Sequence, residues 1–217
     1  MAYGGGTWLV QNKVLPGTYI NFVSLARAIV SLADRGYAAM AMELDWGVDG
    51  EVFTVENSDF QKNSLKIFGY SYDHEKMKGL RDLFSNAKTV YCYKLNEGAK
   101  ASNDLATAKY AGERGNSIKI TVAANVDAPT MFDVTTLLDN KKVDVQTVKT
   151  AKDLVNNDFV DFKTGATLTP TVAKPLENGT NGSAVTGTEY QKFLDKIETY
   201  YFNTLGCLAT DKWNIGF

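Results

Sequence analysis

Two helix-then-strand units stand on either side of a stretch with no helical period, and this arrangement limits the fold more than any other feature of the chain. The first unit runs from Asp73 to Asn86, where Met77, Leu80, Leu83 and Phe84 fall on one stripe and Glu75, Lys76, Lys78, Arg81 and Asp82 cover the rest. It leads into Thr89-Val-Tyr-Cys-Tyr-Lys-Leu95, a strand rich in aromatic and β-branched residues, so a crossover unit is expected. The second opens on Thr186 and Glu189, spaced as a capping box, and places Tyr190, Phe193, Leu194 and Ile197 on one face. It ends in Tyr201 to Cys207 as a further strand. Between the units the period is two, in Ile118 to Val122, Met131 to Leu137, Val143 to Val148 and Phe159 to Phe162. Asp139-Asn-Lys-Lys142 is the hairpin turn between the middle two.

These periods predict an α+β fold, a mixed α/β subdomain carrying an inserted antiparallel β-rich subdomain and an extended N-terminal arm. The expected division is an arm at 1–22, the first part of the α/β subdomain at 23–100, the β-rich insert at 101–185 and the return to the α/β subdomain at 186–217. The arm starts on Gly4-Gly5-Gly6 and holds two β-prone runs, Thr7 to Val10 and Lys13 to Phe22, the second broken by a Pro16-Gly17 turn. From the residues alone, its pairing partner is equally its own domain or a neighbour. Leu25, Ala28, Ile29 and Leu32 have helical spacing. Tyr37 to Trp46 and Glu51 to Val55 read as strands, and Ser58 as the cap of a helical turn through Leu65 and Phe68. Ala99 to Gly115 turns small and polar, and Gly112-Glu-Arg-Gly-Asn116 leads into a new element. Ala166 to Val185, rich in Thr, Pro, Gly and Asn, is expected as a surface excursion with few core anchors.

The chain offers little to chemistry. At 217 residues, 44% of them hydrophobic, it can bury roughly 70% of the surface its unfolded form exposes. Its net charge of -2 is spread without a basic stripe, which argues against a nucleic-acid partner. There is no secretion signal, and no apolar run long enough to span a bilayer, so membrane insertion is not expected and the reading is a cytoplasmic protein. Asn178-Gly-Thr and Asn181-Gly-Ser match glycosylation sequons but read as loop composition in such a protein. Cys92 and Cys207, each in an apolar strand-like context, are expected as reduced, buried thiols. No phosphate loop, nucleophile elbow or metal-ligand spacing occurs, so no cofactor, metal or catalytic residue is assigned. The one histidine, His74, sits between Asp73 and Glu75 as a solvated first-turn residue. Asp133, Asp139, Asp144 and Asp158 fit solvent faces and turns. A non-enzymatic binding module, with the Thr/Gly-rich loop or the tyrosines of Tyr70-Ser-Tyr72 and Tyr91-Cys-Tyr93 as its recognition site, is the alternative reading.

Several stretches, taken in order, resemble one family. Pro16-Gly17-Thr18-Tyr19-Ile20-Asn21-Phe22 is similar to a Pro-Gly-x-Tyr-x-x-Phe entry, and Asp34-Arg-Gly36 through Leu44-Asp-Trp-Gly47 to an Arg-Gly, apolar strand, Trp-Gly block. Ala108 to Val122 is similar to a small-residue, Gly-Asn, strand signature, and Phe202 to Cys207 to the strand that opens a tube-facing part. The chain thus resembles the contractile tail sheath proteins of phages and R-type bacteriocins, on the Gram-positive prophage and diffocin-like branch.

The resemblance implies a structural subunit that polymerises around an inner tube and contracts by repacking its interfaces, so as to drive the tube through a bacterial envelope. It implies as partners other copies in a helical sheath, the inner tail tube protein and the baseplate. The α/β subdomain would lie nearest the tube and the β-rich insert outward. Assembly would take place in the cytoplasm of the producing bacterium, before release in a virion or bacteriocin tail. The subunit-linking residues would be Trp8, Leu9, Val10, Val14, Tyr19 and Ile20, in an arm that adds a strand to neighbours. Sheath proteins of this branch continue past the equivalent of Phe217, so the resemblance also implies a chain that lacks its C-terminal part.

Overall fold

The structure, a computed structural model, describes residues 36–207. β1 (Tyr37–Met42) is apolar at nearly every position and buried on both faces, as a central parallel strand must be. Past Met42 the chain leaves strand geometry, so the apolar run through Trp46 is strand only in its first half. β2 (Val52–Glu56) leads directly into helix α1 (Asn57–Phe68). Ser58 does not cap that helix. The junction at Glu56 has no side-chain cap, and Asn57 ties it down with its N–H on Lys88 O at 3.0 Å and its side-chain amide on Phe84 O at 2.8 Å. The stripe expected from Asp73 to Asn86 splits into a 3₁₀ turn at Glu75–Met77 and helix α2 (Lys78–Phe84). His74 is the reason for the late start: its Nδ1 accepts from Lys76 N–H at 3.2 Å, capping the turn.

β3 (Thr89–Lys94) pairs parallel with β1 and antiparallel with β2. The chain next forms β4 (Ala106–Ala108), a 3₁₀ turn at Glu113–Ser117, and the meander β5 (Ile118–Ala124), β6 (Phe132–Leu138) and β7 (Lys141–Val148). The β6–β7 turn is tighter than expected. Asp139 and Asn140 both take positive φ, 50° and 63°, the requirement of a two-residue hairpin loop. β8 (Val160–Phe162) pairs with β4, apart from the meander, in a small second sheet. β9 (Thr171–Pro175) then pairs antiparallel with β5. Ala166 to Val185 is therefore not a mere surface excursion: it completes a four-stranded sheet and sends Leu176 fully into the core. Helix α3 (Gly187–Ile197) starts on the expected capping box, with Thr186 and Glu189 bonded reciprocally. β10 (Thr204–Cys207) returns parallel to β1.

Three helices and ten strands are described, in an α+β arrangement. The first sheet has the order β10-β1-β3-β2, the outer one β7-β6-β5-β9. Pleat alternation gives the first sheet two covered faces. Met40, Met42, Val90 and Cys92 pack with Phe60, Phe68, Leu80 and Phe84 of α1 and α2, while Ala39, Ala41 and Tyr93 pack with Phe193 and Ile197 of α3. A third cluster joins Ile118, Ile120, Val134 and Leu138 of the outer sheet to Ala106, Val160 and Phe162 of the small one. Cys92 is buried as expected, and Cys207 is not: β10 is an edge strand among the described residues, and the thiol is exposed.

Candidate functional site

Trp46 is the natural place to begin, because it belongs to the core of the β-rich part although it follows a strand of the first sheet. Its ring meets Tyr110 edge-on at 5.3 Å and lies 6.3 Å from Phe159, while its indole N–H donates to Lys66 O at 3.0 Å. Buried tryptophan with a satisfied N–H gives area and direction together. One side chain therefore spans the join between the two parts.

Asp45, next to it, collects donors from three segments. The Tyr70 hydroxyl donates to Oδ2 at 2.6 Å, the Asn181 amide to Oδ1 at 3.1 Å, and the Lys76 ammonium pairs with Oδ2. Burial alone would raise the Asp45 carboxyl, but those three donors outweigh it and hold it below the usual carboxylate range. The same bond to Asp45 raises Lys76, and burial followed by the bond to Asp45 raises Tyr70.

Arg114 extends the network outward. Its Nε donates to Gly69 O at 2.7 Å, its plane lies 4.6 Å from the Tyr70 ring, and its two terminal nitrogens grip Asp139 in the β6–β7 turn. The Arg114 side chain is only 10% exposed, so this bidentate pair is partly desolvated and directional. Its hydrogen bonds, aided by its charge, hold the Asp139 carboxyl below the usual carboxylate range against the opposing effect of burial. Nearby, Lys94 is buried at the end of β3, with Nζ on Ala111 O at 2.6 Å and 2.7 Å from Asp49 Oδ1. The approach to Asp49 lacks hydrogen-bond geometry, so charge rather than a directed bond holds that pair.

Backbone approaches complete the join. Gly112 has φ 137°, and a Cβ there would sit 1.8 Å from Asp45 O; a Cβ on Gly182, at φ 74°, would sit 1.5 Å from Glu97 O. Asn96 bonds both Leu44 N–H and Leu44 O through its side chain, at 2.7 and 2.9 Å. All of this lies beyond the carboxyl ends of β1 and β3, where an open α/β sheet ordinarily offers its ligand crevice. Here the β-rich part's own backbone fills that crevice. A pocket of about 180 Å³ remains beside Asp45, Lys76 and Leu80. A cleft of about 450 Å³, lined by β2 and α1 on one side and by Lys109, Tyr110 and Asp158 on the other, is spanned by the exposed Lys66–Asp158 pair. Among the described residues no group of three or more His, Cys, Asp and Glu is placed to hold a metal, and no helix is long and apolar enough to cross a membrane.

Two family models match the chain in succession. The model described as "Tail sheath protein Gp18 domain III N-terminal region" matches residues 35–95, and "Phage tail sheath protein beta-sandwich domain" matches 96–181. The chain belongs to the phage tail sheath proteins. The seam between the two sheath models, at residues 95 and 96, coincides with the Asn96 crossing just described. Among curated relatives, the phage-like element PBSX protein XkdK of Bacillus subtilis is 36% identical over 93% of this chain and 47% of its own length. An uncharacterized protein YqbK of the same species is 33% identical over 95% and 49%. The crystal structure of a sheath tail protein from Desulfitobacterium hafniense superposes with a TM-score of 0.75 at 37% identity, covering 90% of this chain and 46% of that one. One from Listeria innocua gives 0.70 at 35% identity, covering 83% and 43%. The chain spans about half the length of the curated relatives it matches. Tail sheath proteins are structural.

The sheath motif residues Asp45, Trp46, Gly112 and Arg114 are brought together at the join, whereas Trp8, Leu9, Val10, Val14, Tyr19 and Ile20, expected as linking residues, lie outside the described residues. Tyr72 packs against Phe60 and Tyr93 against Phe193, while Tyr91 stacks with Tyr37 and contacts Tyr200. These three candidate tyrosines serve cores and sheet faces, while Tyr70 bonds Asp45 and lines the pocket beside it. Sequence reasoning missed Lys94 and Asn181. A lysine inside an otherwise apolar strand was the signal for the first; the second was passed over as sequon composition.

Proposed function

We propose that the chain is a structural subunit of a contractile tail sheath, one that polymerises around an inner tail tube and shortens by repacking its interfaces. The observation that carries this reading is the filled crevice. Gly112 against Asp45 and Gly182 against Glu97 turn the usual ligand site of an α/β sheet into an internal join, which leaves surfaces rather than a pocket as the working parts. A subunit so tied moves as one body, with β1 to β3 and the outer sheet keeping their mutual orientation while contacts between subunits change. The arm around Trp8 to Val14 links neighbours by strand addition, and contraction is a trapped repacking that the baseplate releases without nucleotide. The linked copies, the tube and the baseplate are its partners, and it leaves the producing bacterium in a virion or bacteriocin tail.

The test is negative-stain electron microscopy of particles captured with an antibody against this chain from a lysate of the producing bacterium. Striated tubes, extended or contracted, are the expected result; isolated small particles in every preparation would refute it. Removing residues 1–15 from a complete version should leave a folded monomer that forms no tubes; normal tubes from that deletion would refute the arm reading.

A further inference from the structure

Two Asn-Gly pairs, Asn178-Gly179 and Asn181-Gly182, follow one another in the chain, and the fold treats them differently. An Asn-Gly bond is open to self-attack, because glycine has no Cβ to keep its nitrogen away from the preceding side-chain amide. At the first pair that nitrogen is occupied: Gly179 is buried, and its N–H donates to Asn116 Oδ1 at 2.8 Å. Gly182 is exposed, and its N–H donates to no acceptor among the described residues. The Asn181 amide, for its part, is polarised. Its Oδ1 accepts the Glu113 N–H at 2.9 Å, a donor that stabilises negative charge on that oxygen as a nucleophile adds, and its Nδ2 donates to Asp45 Oδ1 at 3.1 Å. Packing dictates the glycine as well, since a Cβ at 182 would sit 1.5 Å from Glu97 O. The join therefore requires the residue that makes the pair susceptible.

We infer that Asn181 is a site of spontaneous deamidation, and that its conversion loosens the join. The Gly182 nitrogen gives its proton to hydroxide and bonds Asn181 Cγ; the Cγ–Nδ2 bond breaks, and Nδ2 takes a proton from water and leaves as ammonia. The five-membered imide then takes up one water and opens to aspartate or isoaspartate. Nothing is oxidised or reduced: amide and water become carboxylate and ammonium, and the mass rises by about 1 Da. In the aspartate product an acceptor replaces the atom that donated to Asp45, so two carboxylates face each other where a hydrogen bond stood. Lys76, already paired with Asp45, sets one ammonium against the two. Isoaspartate instead lengthens the main chain by one carbon and moves Gly182 off its seat against Glu97.

The full chain, held in mildly alkaline buffer and sampled over days, is digested, and the peptide that holds both sites is fragmented by tandem mass spectrometry to tell them apart. Native protein should convert Asn181 about ten times faster than Asn178, the ratio that one intact hydrogen bond at the Gly179 nitrogen supports. In urea the two rates should converge. Converted protein, separated by ion exchange, should unfold at lower urea than fresh protein; Asn181→Asp made directly should do the same, and Asn178→Asp should not. Faster conversion at Asn178, equal rates in the native state, or no native conversion while the urea-unfolded chain converts would overturn the site. Conversion at Asn181 with an unchanged urea midpoint would overturn its effect on the join. Should Asn181→Asp fail to fold, the time course on the unsubstituted chain still decides.

Discussion

Gly112→Ala tests whether the join holds the two parts together. The backbone of Gly112 sits at φ 137° and ψ 161°, a region open almost only to glycine, and occupying it with a side chain costs about 1–3 kcal/mol. The added Cβ would fall 1.8 Å from Asp45 O and 2.4 Å from its carbon, both backbone atoms, so no rotamer change relieves the contact. Forcing main chain apart in a packed region adds about 1–3 kcal/mol. The two together give about 4 kcal/mol, and at about 2–4 °C per kcal/mol for a chain of this size, a fall of about 8–16 °C in the melting midpoint. Two controls separate the effects. Gly50 also has positive φ, at 68°, but nothing stands within 4 Å, so Gly50→Ala should cost only about 1 kcal/mol. Gly165 has open space and no positive φ, so Gly165→Ala should be neutral or stabilise by about 0.4–1 kcal/mol. Urea unfolding followed by far-UV circular dichroism ranks the three. If Gly112→Ala falls within about 1 kcal/mol of Gly165→Ala, the close approach at Asp45 is not what fixes the join.

Acid and alkali should act on the join through named groups. The Asp45 carboxyl is held below its ordinary value, so its stabilisation is present above the unfolded carboxylate value of about 3.9 and is lost as pH falls through the lower folded one. Asp45→Asn should therefore flatten the acid limb of the urea midpoint, and an unchanged limb would refute this. Lys76 is raised, so its share is present below the unfolded value and lost as pH rises through the folded one; Lys76→Met should remove that alkaline loss. The thiols should separate cleanly: Cys207 is exposed, while burial pushes the Cys92 thiol far up. Ellman's reagent should titrate one thiol in the native protein and two in urea; two fast native thiols would contradict the placement of Cys92.

What could be read from sequence was what local periods encode. The stripes of α2 and α3, the capping box at Thr186 and the alternation in β5 to β7 each need only a few neighbouring residues, and they recur in the structure. The misreadings fall where a distant partner decides. Ser58 had cap chemistry, but the chain entering α1 is held by Lys88 and Phe84, which sequence spacing does not disclose. Thr171 to Pro175 looked like loop because Pro170, Pro175 and the threonines at 167, 169 and 171 suit an exposed path, yet an edge strand tolerates the same residues once β5 supplies its hydrogen bonds. Cys207 sits in an apolar sequence, and its exposure follows from β10 having one neighbour among the described residues.

Four residues from the stretches that carried the family resemblance meet across the join. Asp45 and Trp46 come from the end of the first sheet and Gly112 and Arg114 from the entry to the β-rich part, and each is explained by what it meets across the join. Asp45 also lines the pocket of about 180 Å³ beside Lys76, while Trp46, Gly112 and Arg114 each meet the opposite part of the chain. It follows that changes at these positions should alter the angle and strength with which the outer sheet is held, and only through that the fit between neighbouring subunits.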